Sequence, residues 1–234
     1  MSISIIYASY NEEYNHQFKE GIKRFSSLKE KYSLEIICVD GNSSDGTINF
    51  LKKFPVTIIQ TKLANRSERY NVAAKMAKGE ILLINHPRSL LDINAIEELL
   101  NYHIKYEWGA FTHRFDFAHP ILIFTSWYSN HIRGDLFKIY YLDHCYFIKK
   151  DLFLKINGFP NIAIFEDTEL CKRLNKMAKP IRLKSTSTTS AIRFLKNGII
   201  KQAILNQWMK LNYYFSFRPE KMNEVYEKDI NLNK

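Results

Sequence analysis

Short apolar runs bounded by polar turns recur along the first third of the chain. Residues 2–8, 34–40, 56–60 and 80–85 carry Ile, Leu and Val in blocks of strand length, the pattern of strands buried on both faces. Between and after them, residues 12–30, 46–54, 66–78 and 93–106 read as helices. This alternation predicts right-handed βαβ units and an α/β fold with a mostly parallel sheet flanked by helices. Pro55 breaks the chain between helix and strand, and Gly79 fits a helix end before the fourth strand. The second half is less regular: strands near 109–115, 142–148 and 180–184, with helices near 121–133, 150–156 and 167–177. The C-terminal region reads as helical. Ile200, Ile204, Trp208, Leu211 and Phe215 align as one apolar stripe, expected to pack on its own domain, with a dimer contact or an interfacial membrane helix as alternatives. No repeat, low-complexity tract or linker interrupts the chain, so one domain over 1–234 is expected.

A chain of 234 residues, 46% hydrophobic and 25% charged, is globular in composition. Cys38, Cys145 and Cys171 have no metal-ligand spacing and read as buried free thiols of a reducing compartment. His103, His113, His119 and His131 likewise lack ligand spacing. Met1 leads straight into a strand pattern and no apolar run reaches the ~18 residues of a membrane span. A cytoplasmic protein is expected, or one peripheral on the inner membrane face. The net charge of +10 is concentrated late: from Arg182 onward there are ten Lys/Arg against four Asp/Glu. A solvated basic face is the default reading, and attraction of the basic C-terminal helices to anionic lipid is the next. Nucleic acid is disfavoured, because no nucleic-acid module motif accompanies the charge.

Candidate chemistry begins at EIICVDGNSSDGT, residues 35–47. Asp40 ends an apolar strand, and in open α/β sheets ligands bind beyond that end, where a carboxylate can accept from a sugar hydroxyl or a base N–H. Asp45 suits either nucleotide contact or a turn and cap role. The first strand, SISIIYASYNE, also runs into polar residues, Ser9, Tyr10, Asn11 and Glu12, with Tyr10 able to stack on a base.

These two segments resemble the nucleotide-binding half of family 2 glycosyltransferases, enzymes of the GT-A fold that take a sugar from a nucleoside diphosphate. The resemblance continues through RSERYNVAAKMAKGEILLINH, FIKKDLFLKINGFPNIAIFEDTELCKRL and the tail to RPEKMNEVY, blocks similar to those of one bacterial subgroup. It implies a nucleotide-binding half over 1–88, an acceptor half over 89–190 and C-terminal helices over 191–234. It also implies a nucleotide clamp from Ser9, Tyr10, Asn11, Glu12, Asp40 and Arg66, with Asp45 and Asn71 as further contacts.

FEDTELCKRL sets Glu166 and Asp167 at the start of a helix, where carboxylates are favoured electrostatically in any case. The family carries an acidic pair here whose Asp is the catalytic base of inverting members, so Asp167 is the expected base. After the fourth strand the subgroup has His-Ala-Asp, whose Asp holds Mg²⁺ or Mn²⁺ against the diphosphate. This chain has His86, Pro87 and Arg88. Arginine does not ligate a metal. Three readings stay open: Arg88 pairs with the diphosphate itself, a metal is held elsewhere with His86, Asp92 or Asp143 as candidates, or transfer activity is lost. Asp143 precedes a strand leading to the acceptor site, and His144 reads as a hydrogen-bonded structural group. The resemblance thus implies an inverting transfer from a nucleotide sugar to an unknown glycan, lipid or small-molecule acceptor. The alternative is a catalytically inactive nucleotide- or sugar-binding protein of the same fold.

Overall fold

The computed structural model describes residues 2–63, 65–215 and 218–228. Its centre is one eight-stranded sheet made of β1 (Ile3–Ser9), β2 (Leu34–Asp40), β3 (Thr57–Gln60), β4 (Ile81–Ile84), β5 (Ser89–Leu91), β6 (Trp108–Phe115), β7 (Tyr146–Lys149) and β8 (Ile181–Thr189). The order is β3-β2-β1-β4-β7-β6-β8-β5. The first four strands pair in parallel, as does β6 with β8, whereas β7 and β5 run antiparallel to their neighbours. Ser9 pairs with Asp40, and Asp40 with Gln60, so these strands end level at one edge.

Both faces of the sheet are covered, which is why its strands read as unbroken apolar runs. Ile5 and Tyr7 face α1 (His16–Tyr32) and α4 (Ala95–Tyr102), joining Phe18, Ile22 and Leu99 in one core. Ile6 and Ala8, one residue out of phase, join Tyr70 and Ala73 of α3 (Arg66–Met76) and Leu170 and Leu174 of α7 (Glu166–Asn175) in the other. The remaining helices are α2 (Thr47–Leu51), α5 (Pro120–Tyr128), α6 (Lys150–Lys155), α8 (Ile192–Asn197), α9 (Ile199–Phe215) and α10 (Pro219–Glu227). All three cysteines are buried free thiols, each pushed up to about 12 by burial.

Several boundaries differ from the sequence pattern for local reasons. α1 starts at His16, because the Asn15 side chain caps it by accepting from the Phe18 amide at 3.2 Å. The helix expected through 133 stops at Tyr128 and continues as a π-helical turn, Ser129–Leu136. The strand expected from 142 begins at Tyr146, after a 3₁₀ turn at Leu142–His144 and a left-handed Cys145 with φ 52°. β8 runs on to Thr189, and β5 lies where no strand is expected from the sequence.

The apolar stripe is inverted. Ile200, Ile204, Trp208, Leu211 and Phe215 are 47–83% exposed, whereas Gln202, Met209 and Tyr213 of the same helix are buried. α9 lines one side of a cleft with Ala203, Asn206, Met209 and Lys210, and the apolar stripe turns the other way. Residues 216–217 and 229–234 of the expected C-terminal helical region lie outside the described residues. No helix among the described residues is long and apolar enough to cross a membrane.

Candidate active site

The ends of β1 and β2 are tied together by side chains. Asp40 is fully buried, and its carboxylate accepts from Ser9 Oγ at 2.7 Å, Ser43 N at 2.7 Å and Ser43 Oγ at 2.6 Å. Asn11, at φ 52°, donates its amide to Ser43 Oγ and accepts from Ser44 N. Asp45 accepts from Glu13 N and from Thr47 N and Oγ1; these bonds hold its carboxyl below the usual range although burial alone would raise it. Its turn-and-cap role is therefore filled from within the chain. Arg69 is buried and packs so closely that a Cβ at Gly41 would collide with its guanidinium.

A cleft beside these strand ends is lined by Arg66, Arg88, Arg133, Arg193, Lys210, His86, His113, Asp143 and Asp167 among others. Glu166 and Asp167, adjacent in sequence, part ways here. Glu166 is fully buried and binds Arg66 Nε across 100 residues of chain, while Asp167 reaches the cleft. Asp167 accepts from Leu142 N at 3.1 Å and Thr168 N at 2.7 Å. Burial, followed by the Glu166 charge, lifts its carboxyl to about 7 against the pull of Arg66. The backbone before this pair is fixed by Asn71, whose amide exchanges two hydrogen bonds with Phe159, at 2.8 and 2.9 Å. Asn71 is thus a clamp on the loop that starts at Gly158, a residue at φ 59°.

Arg88 feels two other guanidinium groups that line the cleft, Arg193 and Arg66. Burial lowers Arg88 below its ordinary value, and the Glu12 carboxylate opposes that shift. Arg193, not singled out by the sequence, binds Glu227 Oε1 at 2.6 Å and stacks over Tyr226 at 4.1 Å from the ring centroid. Its only sequence signal is a basic residue soon after the strand that ends at Thr189.

On the other flank, His113 Nε2 lies 3.5 Å from Asp143 Oδ2. Burial would raise Asp143, but His113, His144 and Arg133 hold it at about 2. His144 is buried and bonded on both ring nitrogens, to Phe111 O and Ser129 Oγ, a structural role. Burial holds it at about 3, so it is neutral.

The donor set does not fit a divalent cation. Arg88, at the position where the family resemblance implies a metal carboxylate, has no lone pair to offer a cation, and His86 Nδ1 is taken up in accepting from the Arg88 amide at 3.3 Å. Asp92 is engaged elsewhere, accepting from Thr186 N at 2.7 Å. Among the described residues no three His, Cys, Asp or Glu side chains are grouped to hold a metal.

The sequence profile described as glycosyl transferase family 2 matches residues 4–157, well over half of the chain, and the chain belongs to that family. No curated protein sequence matches it significantly. Among solved structures, S. aureus TarS 1–349 aligns with a TM-score of 0.65 at 14% identity, over 97% of this chain and 69% of TarS 1–349. The mannosyltransferase PcManGT from Pyrobaculum calidifontis, in complex with GDP-Man and Mn²⁺, aligns at 0.63 and 17% identity, over 96% and 68%. Mannosyl-3-phosphoglycerate synthase from Rubrobacter xylanophilus aligns at 0.61 and 13%, over 95% and 76%. The fold is that of the GT-A glycosyltransferases.

Proposed function

We propose that this glycosyltransferase moves a sugar from a nucleoside-diphosphate sugar to an acceptor hydroxyl with inversion. The observation that carries the reading is Asp167, a buried carboxylate at the cleft wall with its pKa lifted to about 7, where it can take a proton at neutral pH. As the acceptor oxygen attacks the anomeric carbon from the face opposite the leaving group, Asp167 takes its proton and the bond to the diphosphate breaks. Arg88, with Arg66 and Arg193, compensates the departing charge; guanidinium groups supply paired donors to phosphate oxygens without a metal. The loops after β1 and β2, with Tyr10, Asn11 and Asp40, are the proposed nucleoside clamp, and Glu166 positions Arg66.

The test is a calorimetric screen of nucleoside diphosphates and nucleotide sugars with and without Mn²⁺, followed by product analysis. Binding with product formation is the expected result. Binding of all donors without turnover toward any acceptor supports the inactive reading, and no binding at all removes both.

A second reading concerns location. The outer faces of α5 and α9 expose Ile123, Phe124, Trp127, Ile204, Trp208 and Phe215, and the C-terminal quarter carries excess positive charge. That combination suits peripheral contact with an anionic lipid surface. Sedimentation with phosphatidylglycerol vesicles, lost in a Trp127→Ser, Trp208→Ser variant, is expected; self-association without vesicle binding would instead favour a second copy of the chain.

A further inference from the structure

The cations of the cleft fall into two groups. At the donor end Arg88 feels the charges of Arg66 and Arg193. Arg133 and Lys210, which line the cleft together with Asp167, form a second group, the charge of Arg133 bearing on Lys210. Arg133 comes from the π-helical turn, and its guanidinium lies flat on Tyr141, 3.4 Å from the ring centroid. It donates to Ser129 Oγ and to the Ile139 carbonyl. Lys210 reaches in from α9 over the Tyr128 ring, with one long contact to Gln207 Oε1 at 3.4 Å. Among the described residues neither cation has a carboxylate within 4.0 Å.

Two like charges gathered in a partly buried cleft repel each other and lose hydration, an arrangement that is relieved when an anion enters between them. Lys210 shows this cost: burial, followed by the Arg133 charge, lowers it to about 8, and the Asp143 carboxylate only partly offsets the shift. A departing diphosphate already has three guanidinium groups at the other end, so the donor does not account for this pair.

We infer that Arg133 and Lys210 bind a phosphate group carried by the acceptor, next to the hydroxyl that Asp167 deprotonates. The inference rests on reading this cleft as the transferase site. It assigns the acceptor to the phosphorylated compounds, whether a polyol or sugar phosphate or a phosphate at the head of a lipid. Neutral glycans are excluded as preferred acceptors.

The test is calorimetric titration of the full chain with glycerol 3-phosphate, glycerol and farnesyl phosphate, in the presence and absence of excess nucleoside diphosphate to fill the donor end. Glycerol 3-phosphate should bind and glycerol should not. Arg133→Gln and Lys210→Gln should each weaken binding roughly 10-fold or more, the effect of losing a charged hydrogen-bond donor. Lys210→Gln keeps the test valid if Arg133→Gln fails to fold, because among the described residues Lys210 is held by little besides Gln207 and the Tyr128 ring. Farnesyl phosphate binding more tightly than glycerol 3-phosphate assigns the phosphate to a lipid, and the reverse order to a soluble acceptor. Equal binding of glycerol, or phosphate affinity unchanged in both variants, overturns the inference. Nucleoside diphosphate binding is read separately on the same protein, so its failure would count against the transferase reading and not against the anion site.

Discussion

Glu166 and Asp167 occupy consecutive positions and have opposite surroundings: the first is sealed against Arg66, and the second stands at the cleft with its oxygens on the Leu142 and Thr168 amides. The buried charge of Glu166 is one reason its neighbour holds a proton to about pH 7. An ion pair that looks structural therefore adds to burial in setting the protonation of the residue that lines the cleft.

For Asp167 the expected pH profile follows from that value. kcat/KM should rise about tenfold per pH unit below 7 and level off above it, and Asp167→Asn should cut turnover by on the order of 10²–10⁴. Stability gives an independent check. The folded pKa of about 7 lies above the ordinary 3.8, so the folded chain binds this proton more tightly than the unfolded one. The stabilising contribution is full below about pH 4 and is lost as pH rises through 7. The melting temperature of the wild type relative to Asp167→Asn should thus fall between pH 5 and pH 8. A flat difference, with an active mutant, would remove Asp167 as the base.

Glu166 is expected to act through Arg66 and Asp167. Glu166→Ala removes a buried partner from Arg66 and should cost about 3–5 kcal/mol in denaturant unfolding. Glu166→Gln keeps an acceptor for Arg66 but deletes the charge that raises Asp167, so the ascending limb of the pH–rate profile should move to lower pH. An unmoved limb in a folded Glu166→Gln protein would confine Glu166 to a structural role.

How far the sequence disclosed this arrangement depends on what each residue's surroundings are made of. The strands were legible because double-sided burial leaves continuous apolar runs, as in Ile36, Ile37, Cys38 and Val39. The acidic pair was legible as a pair, but which carboxylate reaches the cleft depends on Arg66, 100 residues away. Arg193 leaned on Glu227, and Arg133 on a π-helical turn, and no local pattern announces either. The stripe on α9 was read with its sign reversed, because periodicity identifies an apolar face without saying whether anything covers it.

Asp40 was expected to face the nucleotide, and its oxygens already accept from Ser9 and Ser43. Asp40→Ala should therefore lower stability by about 2–3 kcal/mol, since it strands buried donors, and should also weaken nucleotide binding by loosening the loop after β2. Asp40→Asn, which keeps part of the acceptor set, should be milder on both counts. A melting curve unchanged in Asp40→Ala would show that the cage contributes nothing to folding.

Arg88 gives the sharpest test, because the family resemblance implies a metal carboxylate at its position. With guanidinium groups in charge of the diphosphate, nucleoside diphosphate should bind equally well in chelator and in Mn²⁺. Arg88→Ala should reduce affinity for a nucleoside diphosphate by about 10-fold or more while leaving affinity for the bare nucleoside unchanged, since the deleted charge meets only phosphate. Arg88→Asp restores a hard oxygen ligand beside His86 and is expected to make diphosphate binding depend on Mn²⁺. Burial and the neighbouring Arg66 and Arg193 weigh on Arg88 in the free protein, so a bound diphosphate should also raise the melting temperature, and by less in Arg88→Ala. If the unaltered protein binds nucleoside diphosphate only with Mn²⁺, the guanidinium assignment fails and a carboxylate such as Asp143 takes its place.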